Sequence, residues 1–150
     1  MKFLGKLLFV ACFVFTAAGI AQAGGRGTPD EAKAMCEKAA HMIESKGIDA
    51  AVAAFNGPGG DFHDRDLYVF VFDKDGKTLA HGAKASLVGR NLKNLRDVDG
   101  KFLTQEIINV SDKGWVDYKW QNPQSKKVEA KTSYVVKVGD YWVGVGAYKG

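Results

Sequence analysis

The residues best suited to chemistry concentrate in the last third of the chain. Trp115, Tyr118 and Trp120 stand on one segment, and Lys131 and Tyr134 follow on the next. Rings with a polar tip give apolar walls that still carry a donor, and a single lysine adds a cation. That combination suits a pocket for a small anion. A buried ammonium needs a counter-charge, which a bound carboxylate would supply. A solvated lysine among core aromatics is the alternative reading of the same residues. His81, beside Gly82 at the end of an apolar segment, could add a donor to the pocket. Tyr68, and Arg65 from the loop before it, are further candidates to line it. The expected ligand-binding set is therefore Tyr68, His81, Trp115, Tyr118, Trp120, Lys131 and Tyr134. Strand alternation puts Trp115, Asp117 and Lys119 on one face, and Val116, Tyr118 and Trp120 on the other; Lys131 and Ser133 share a face, with Tyr134 opposite.

Other chemistries find less support. Asp73-Lys74-Asp75-Gly76 and Asp97-Val98-Asp99-Gly100 resemble fragments of a calcium loop, but the glycine arrives too early in both, and they are expected to be turns. His41, His63 and His81 lack zinc spacing, so no metal or other cofactor is expected. Nucleophile elbow, phosphate loop and dinucleotide fingerprint are missing, and the chain is not expected to be an enzyme. Asp61, His63, Asp64 and Asp66 crowd together after a glycine loop, where they are expected to be solvated.

The first residues describe export. Lys2 and Lys6 precede an apolar run from Leu7 to Ala18, and Ala21-Gln22-Ala23 offers a small-x-small cleavage site. These are the parts of a secretory signal, expected to be removed after Ala23. The run is shorter than the ~20 apolar residues a spanning helix needs. Residues 24–150 then form one domain, expected to be soluble in the periplasm or secreted. Losing Lys2 and Lys6 lowers the formal net charge from +4 to +2, and the remaining charges are interspersed, so a nucleic-acid partner is not expected. Cys12 leaves with the signal, and Cys36 is expected to be a small buried hydrophobe on a helix.

Periodicity supplies the framework for these side chains. Thr28 reads as an N-cap with Pro29 at the first helical position and Glu31 completing a capping box. Ala32, Met35, Cys36, Ala39, Met42 and Ile43 recur at helical spacing, and a second short helix runs from Ile48 to Phe55. The loop Asn56–Gly60 follows. Leu67–Phe72 is a strand apolar on both faces and therefore central, and Thr78–His81 is its partner. Lys101–Val110 is expected to be helical. Gly114–Trp120, Lys127–Val138 and Tyr141–Tyr148 complete an α+β layout of five antiparallel strands with helices packed on one face.

From Asp66 to Tyr148 the chain resembles a single Cache domain, the PAS-like extracellular sensing module of bacterial receptors. The resemblance rests on Tyr68-Val69-Phe70 with Asp75-Gly76, Ala80-His81-Gly82, and Leu87-Val88-Gly89-Arg90-Asn91-Leu92. It continues through Asp99-Gly100-Lys101, Gly114-Trp115-Val116-Asp117-Tyr118-Lys119-Trp120, Lys131-Thr132-Ser133-Tyr134 and Val143-Gly144-Val145-Gly146. It implies a five-stranded antiparallel sheet with a long N-terminal helix and a small pocket under covering loops. It also implies a small organic-acid ligand and signalling through a membrane helix. With no such helix after Gly150, signalling is expected to run through docking to a membrane receptor or transporter. The alternative is an interaction subunit that keeps the scaffold without a working pocket.

Overall fold

The computed structural model describes residues 25–57 and 59–150, so the expected signal segment lies outside the described residues. Helix α1, Pro29–Lys46, starts where the sequence places it. The Thr28 hydroxyl accepts the Glu31 N–H at 3.2 Å, and the Glu31 carboxylate accepts the Thr28 N–H at 2.8 Å. Two otherwise orphaned donors are thereby satisfied at once. Gly47, at φ 83°, ends the helix and turns the chain into α2, Ile48–Asn56.

The strands are β1 (His63–Asp64), β2 (Leu67–Asp73), β3 (Thr78–His81), β4 (Lys113–Gln121), β5 (Val128–Val138) and β6 (Tyr141–Tyr148), with α3 (Leu103–Ile108) before β4. All pair antiparallel in the order β3-β2-β6-β5-β4, and β1 adds a two-residue extension beside the start of β2. β2 lies inside the sheet, and Leu67 to Phe72 are all buried.

A strand buried on both faces needs cover on both, which corrects the expectation of helices on one side. Val69, Val71, Val143, Val145 and Ala147 face α1 and α2. Phe70, Phe72, Val116, Val135 and Trp142 face α3 and the segment before it, through Leu87, Leu92, Leu103 and Ile107. α3 is shorter than predicted because Lys101 is engaged in a turn. There the Asp97 Oδ1 accepts the N–H groups of Asp99 and Lys101 at 3.0 and 2.9 Å, with Gly100 at φ 84°. The Asp73 turn repeats this design, accepting from Asp75 and Lys77 at 2.9 Å each, with Gly76 at φ 80°. In both calcium-like segments the first carboxylate is thus committed to backbone donors. Cys36 is fully buried on α1, its thiol 3.4 Å from the Val143 carbonyl, and burial pushes its pKa up to about 12.

Candidate ligand-binding site

Strand register builds the centre of the site. Lys131 on β5 lies opposite Tyr118 on β4 and Tyr148 on β6, so three neighbouring strands set a cation between two phenols. Lys131 is 1% exposed. Its Nζ lies 4.2 Å from the centroid of the Tyr68 ring, 5.1 Å from Tyr148, 5.4 Å from Phe70 and 5.7 Å from Tyr118. These aromatic faces attract a cation.

Hydrogen bonds here run in one direction. The ammonium donates to Tyr68 Oη at 3.0 Å. Tyr148 gives its own proton to the Gln121 carbonyl at 2.8 Å, so it receives that of Tyr68 across 3.2 Å. Tyr118 and Ser133 share a hydrogen bond of 2.9 Å alongside. Among the described residues Lys131 has no carboxylate partner and no acceptor other than Tyr68 Oη. Burial pushes its pKa down to about 7, and the more distant Asp66 charge acts in the opposite sense. Burial raises the Tyr68, Tyr118 and Tyr148 phenols above their ordinary values, so they are neutral donors.

His81 is fixed from two sides. It pairs with Phe70 across β2–β3, and its N–H donates to Asn56 Oδ1 at the end of α2, 3.0 Å away. Its Nδ1 accepts the Lys84 N–H at 3.0 Å, which leaves the proton of the neutral ring on Nε2. Burial, and then the Lys131 charge, push the imidazole down to about 3, so it stays neutral. The ring lies 4.9 Å from Tyr68 and 6.2 Å from Trp120, centroid to centroid.

Two spaces meet at these rings. An inner chamber of about 10 Å³ is bounded by Lys131, Tyr68, Tyr118, Phe70, Leu103 and Ile107. That is room for one water. An outer pocket of about 250 Å³ opens to solvent beyond it. Tyr68, His81 and Trp120 line both.

Five of the seven expected residues therefore converge: Tyr68, His81, Tyr118, Trp120 and Lys131. Trp115 and Tyr134 do not, and their assignment to the pocket is corrected. They pair across β4–β5 on the opposite face, rings 5.0 Å apart, with Lys33 of α1 over Tyr134 at 5.4 Å. Trp115 differs in parity from Tyr118 on β4, and Tyr134 from Lys131 on β5, so the two pairs point to opposite faces of the sheet. Arg65 is also elsewhere, bound to Asp64 and Glu31 and donating to the Arg26 carbonyl at 3.1 Å. Asp66, expected in solvent, is fully buried; it accepts the Gly27 N–H at 2.6 Å and Asn122 Nδ2 at 3.1 Å. Tyr148 escaped the sequence reading, although its place on the last strand was known. Only its register with Lys131 singles it out.

Fold and site together define a sensor domain of the Cache type. The family model described as Single Cache domain 2 matches residues 21–150, and the chain belongs to that family. It is similar to the sensor histidine kinase MctS of Rhizobium johnstonii, 36% identical over 89 residues, which are 56% of this chain and 19% of that protein. Similarity to the methyl-accepting chemotaxis protein McpP of Pseudomonas putida is 32% identity over 91 residues, 57% of this chain and 17% of that one. The match thus spans under a fifth of either relative. Among solved structures, a methyl-accepting chemotaxis protein from Vibrio parahaemolyticus superposes with a TM-score of 0.68 at 25% identity, covering 79% of this chain and 86% of that one. A Cache chemosensory domain described as recognising carboxylic acids shares the fold at 19% identity, with a TM-score of 0.61 over 81% of this chain and 88% of that one. No helix among the described residues is long and apolar enough to cross a membrane.

Proposed function

We propose that this chain is an exported sensing domain for a small organic acid, whose carboxylate binds against Lys131 among Tyr68, His81, Tyr118 and Trp120. One observation carries the reading. The Lys131 ammonium is buried with a single neutral hydrogen-bond acceptor and no counter-ion among the described residues. An isolated buried cation is costly, and an anionic ligand would remove that cost. The Tyr118 phenol and the His81 Nε2–H are neutral donors of the kind that orient a carboxylate. The reading also draws on the receptor and kinase relatives, and on the carboxylic-acid recognition described for one protein of the same fold. In this proposal residues 1–23 are removed on export, the mature domain is periplasmic or secreted, and its ligand state is read by a membrane receptor or transporter. It binds without catalysis and without a cofactor.

Thermal unfolding with a panel of short carboxylic acids tests it. An acid at one hundred times its dissociation constant should stabilise the wild type by about 2.7 kcal/mol. Lys131→Met should fold and lose that gain. An undiminished gain in the variant would dismiss the assignment.

The inner chamber favours a second reading, because about 10 Å³ admits no organic acid without movement. On that reading the domain is a docking subunit that recognises its membrane partner unliganded. Co-purification with a membrane protein, unaffected by Lys131→Met and by every acid tested, would select it.

A further inference from the structure

The outer pocket has a chemistry of its own. Its walls include Trp120 and Pro123, and at the rim Val98 and Val128 are 68% and 51% exposed. Four cationic residues line it, Lys84, Arg96, Lys119 and Lys126, against one acid, Asp97. The Asp97 carboxylate is already committed: Oδ1 to the turn and Oδ2 to the Lys119 N–H at 2.9 Å. Lys119 is paired with Asp99 at 3.0 Å. Among the described residues Lys84, Arg96 and Lys126 have no carboxylate partner.

This rim is held in place. The Arg96 guanidinium lies over the Phe102 ring, 4.0 Å from its centroid. The Lys84 N–H is fixed on His81 Nδ1, and the Lys126 carbonyl accepts Gln121 Nε2 at 2.9 Å. Lys101 Nζ ties the Asp97 turn to the Asp117 carbonyl at 2.5 Å. A half-apolar pocket edged by three unpaired cations complements a short apolar spacer ending in an acidic group.

We infer that the outer pocket is a second anion subsite, and that the ligand is a dianion. One carboxylate passes the Tyr68–His81–Trp120 boundary toward Lys131, and the second acidic group rests among Lys84, Arg96 and Lys126. This rests on the carboxylate reading above and narrows it to acids with two charged ends joined by an apolar spacer. Single-ended acids would leave the rim cations unmatched.

Calorimetric titration of the exported chain with straight-chain mono- and dicarboxylates of matched length, at fixed low ionic strength, tests it. At the best length the diacid should bind at least tenfold tighter than the monoacid. In Lys84→Gln/Arg96→Gln that ratio should fall to about one to three, and raised salt should shrink it in the wild type. A ratio near one at every length overturns the subsite, as does a ratio untouched by the double substitution. Lys131→Met separates the two ideas. A diacid preference that depends on the rim but ignores this substitution keeps the subsite and removes the Lys131 assignment. Loss of both acids' binding in Lys131→Met, with the wild-type ratio near one, does the reverse. Binding of no acid of either kind overturns both.

Discussion

On the face that meets α1 and α2, Val69, Val71, Val143 and Val145 pack against Ala32, Cys36, Ala39 and Ile43, a dry layer in which even the thiol is neutral. On the other face the same strands present Tyr68, Tyr118, Lys131 and Tyr148, with a one-water chamber and an open pocket beside them. The strands and their twist are common to both, so the difference is one of side-chain parity. A protein that must be both rigid and able to hold a polar guest can give one task to each side of a single sheet. Both sides supply hydrophobic stabilisation, and only the side facing α3 also tolerates a buried charge that stability alone would not select.

The sharpest way to break the comparison is to damage the dry side and watch the wet one. Phe55→Ala, on α2 with its ring edge-on to Phe62 at 4.8 Å, should cost about 3–5 kcal/mol in denaturant unfolding. Affinity for a carboxylate should change little, because Phe55 borders neither space. A large loss of affinity would mean that the two sides are not separable.

Lys131→Met probes the wet side through pH. In the native protein burial holds the lysine near 7, while its ordinary value is 10.5, so the unfolded chain binds more protons between those values. Wild-type stability from this group therefore rises as pH increases through that window, and its penalty is complete below about 7. The variant should be more stable at pH 6 by a few kcal/mol, on the order of 3, with the advantage fading above pH 7 and gone beyond 10.5. Unfolding curves at stepped pH measure this directly. An advantage that grows with pH would contradict a charged, buried lysine.

The smallest effect belongs to Trp115→Ala. Trp115 is 44% exposed and touches Tyr134 on the helix side, so about 1 kcal/mol of stability should be lost with acid binding unchanged. Calorimetry on that variant checks the face assignment.

These contrasts also show what could be read from residues alone. The capping box at Thr28, the double-sided burial of β2 and the parity of β4 are local properties. They fix the helix start, the central strand and the shared face of Tyr118 and Trp120 before any contact is known. Grouping Trp115 and Tyr134 with the site failed because aromatic richness outweighed alternation, which already put them on the other side. Asp66 and Arg65 were beyond local reading. Their surroundings come from Gly27, Asn122 and Glu31, distant in the chain, and a carboxylate in a polar cluster looks solvated until its donors arrive. Tyr148 needed the β5–β6 register, which only the folded sheet supplies.

β6 carries Gly144 and Gly146 among otherwise buried neighbours. A methyl group on Gly144 would overlap the Phe70 ring, and one on Gly146 would overlap Lys131 Cε and Ser133 Oγ. The lysine stem thus rests directly on main chain, a floor that cannot swing aside as a rotamer can. Any widening of the chamber for an incoming guest must come from the opposite wall, where α3 and the long segment before it form the ceiling.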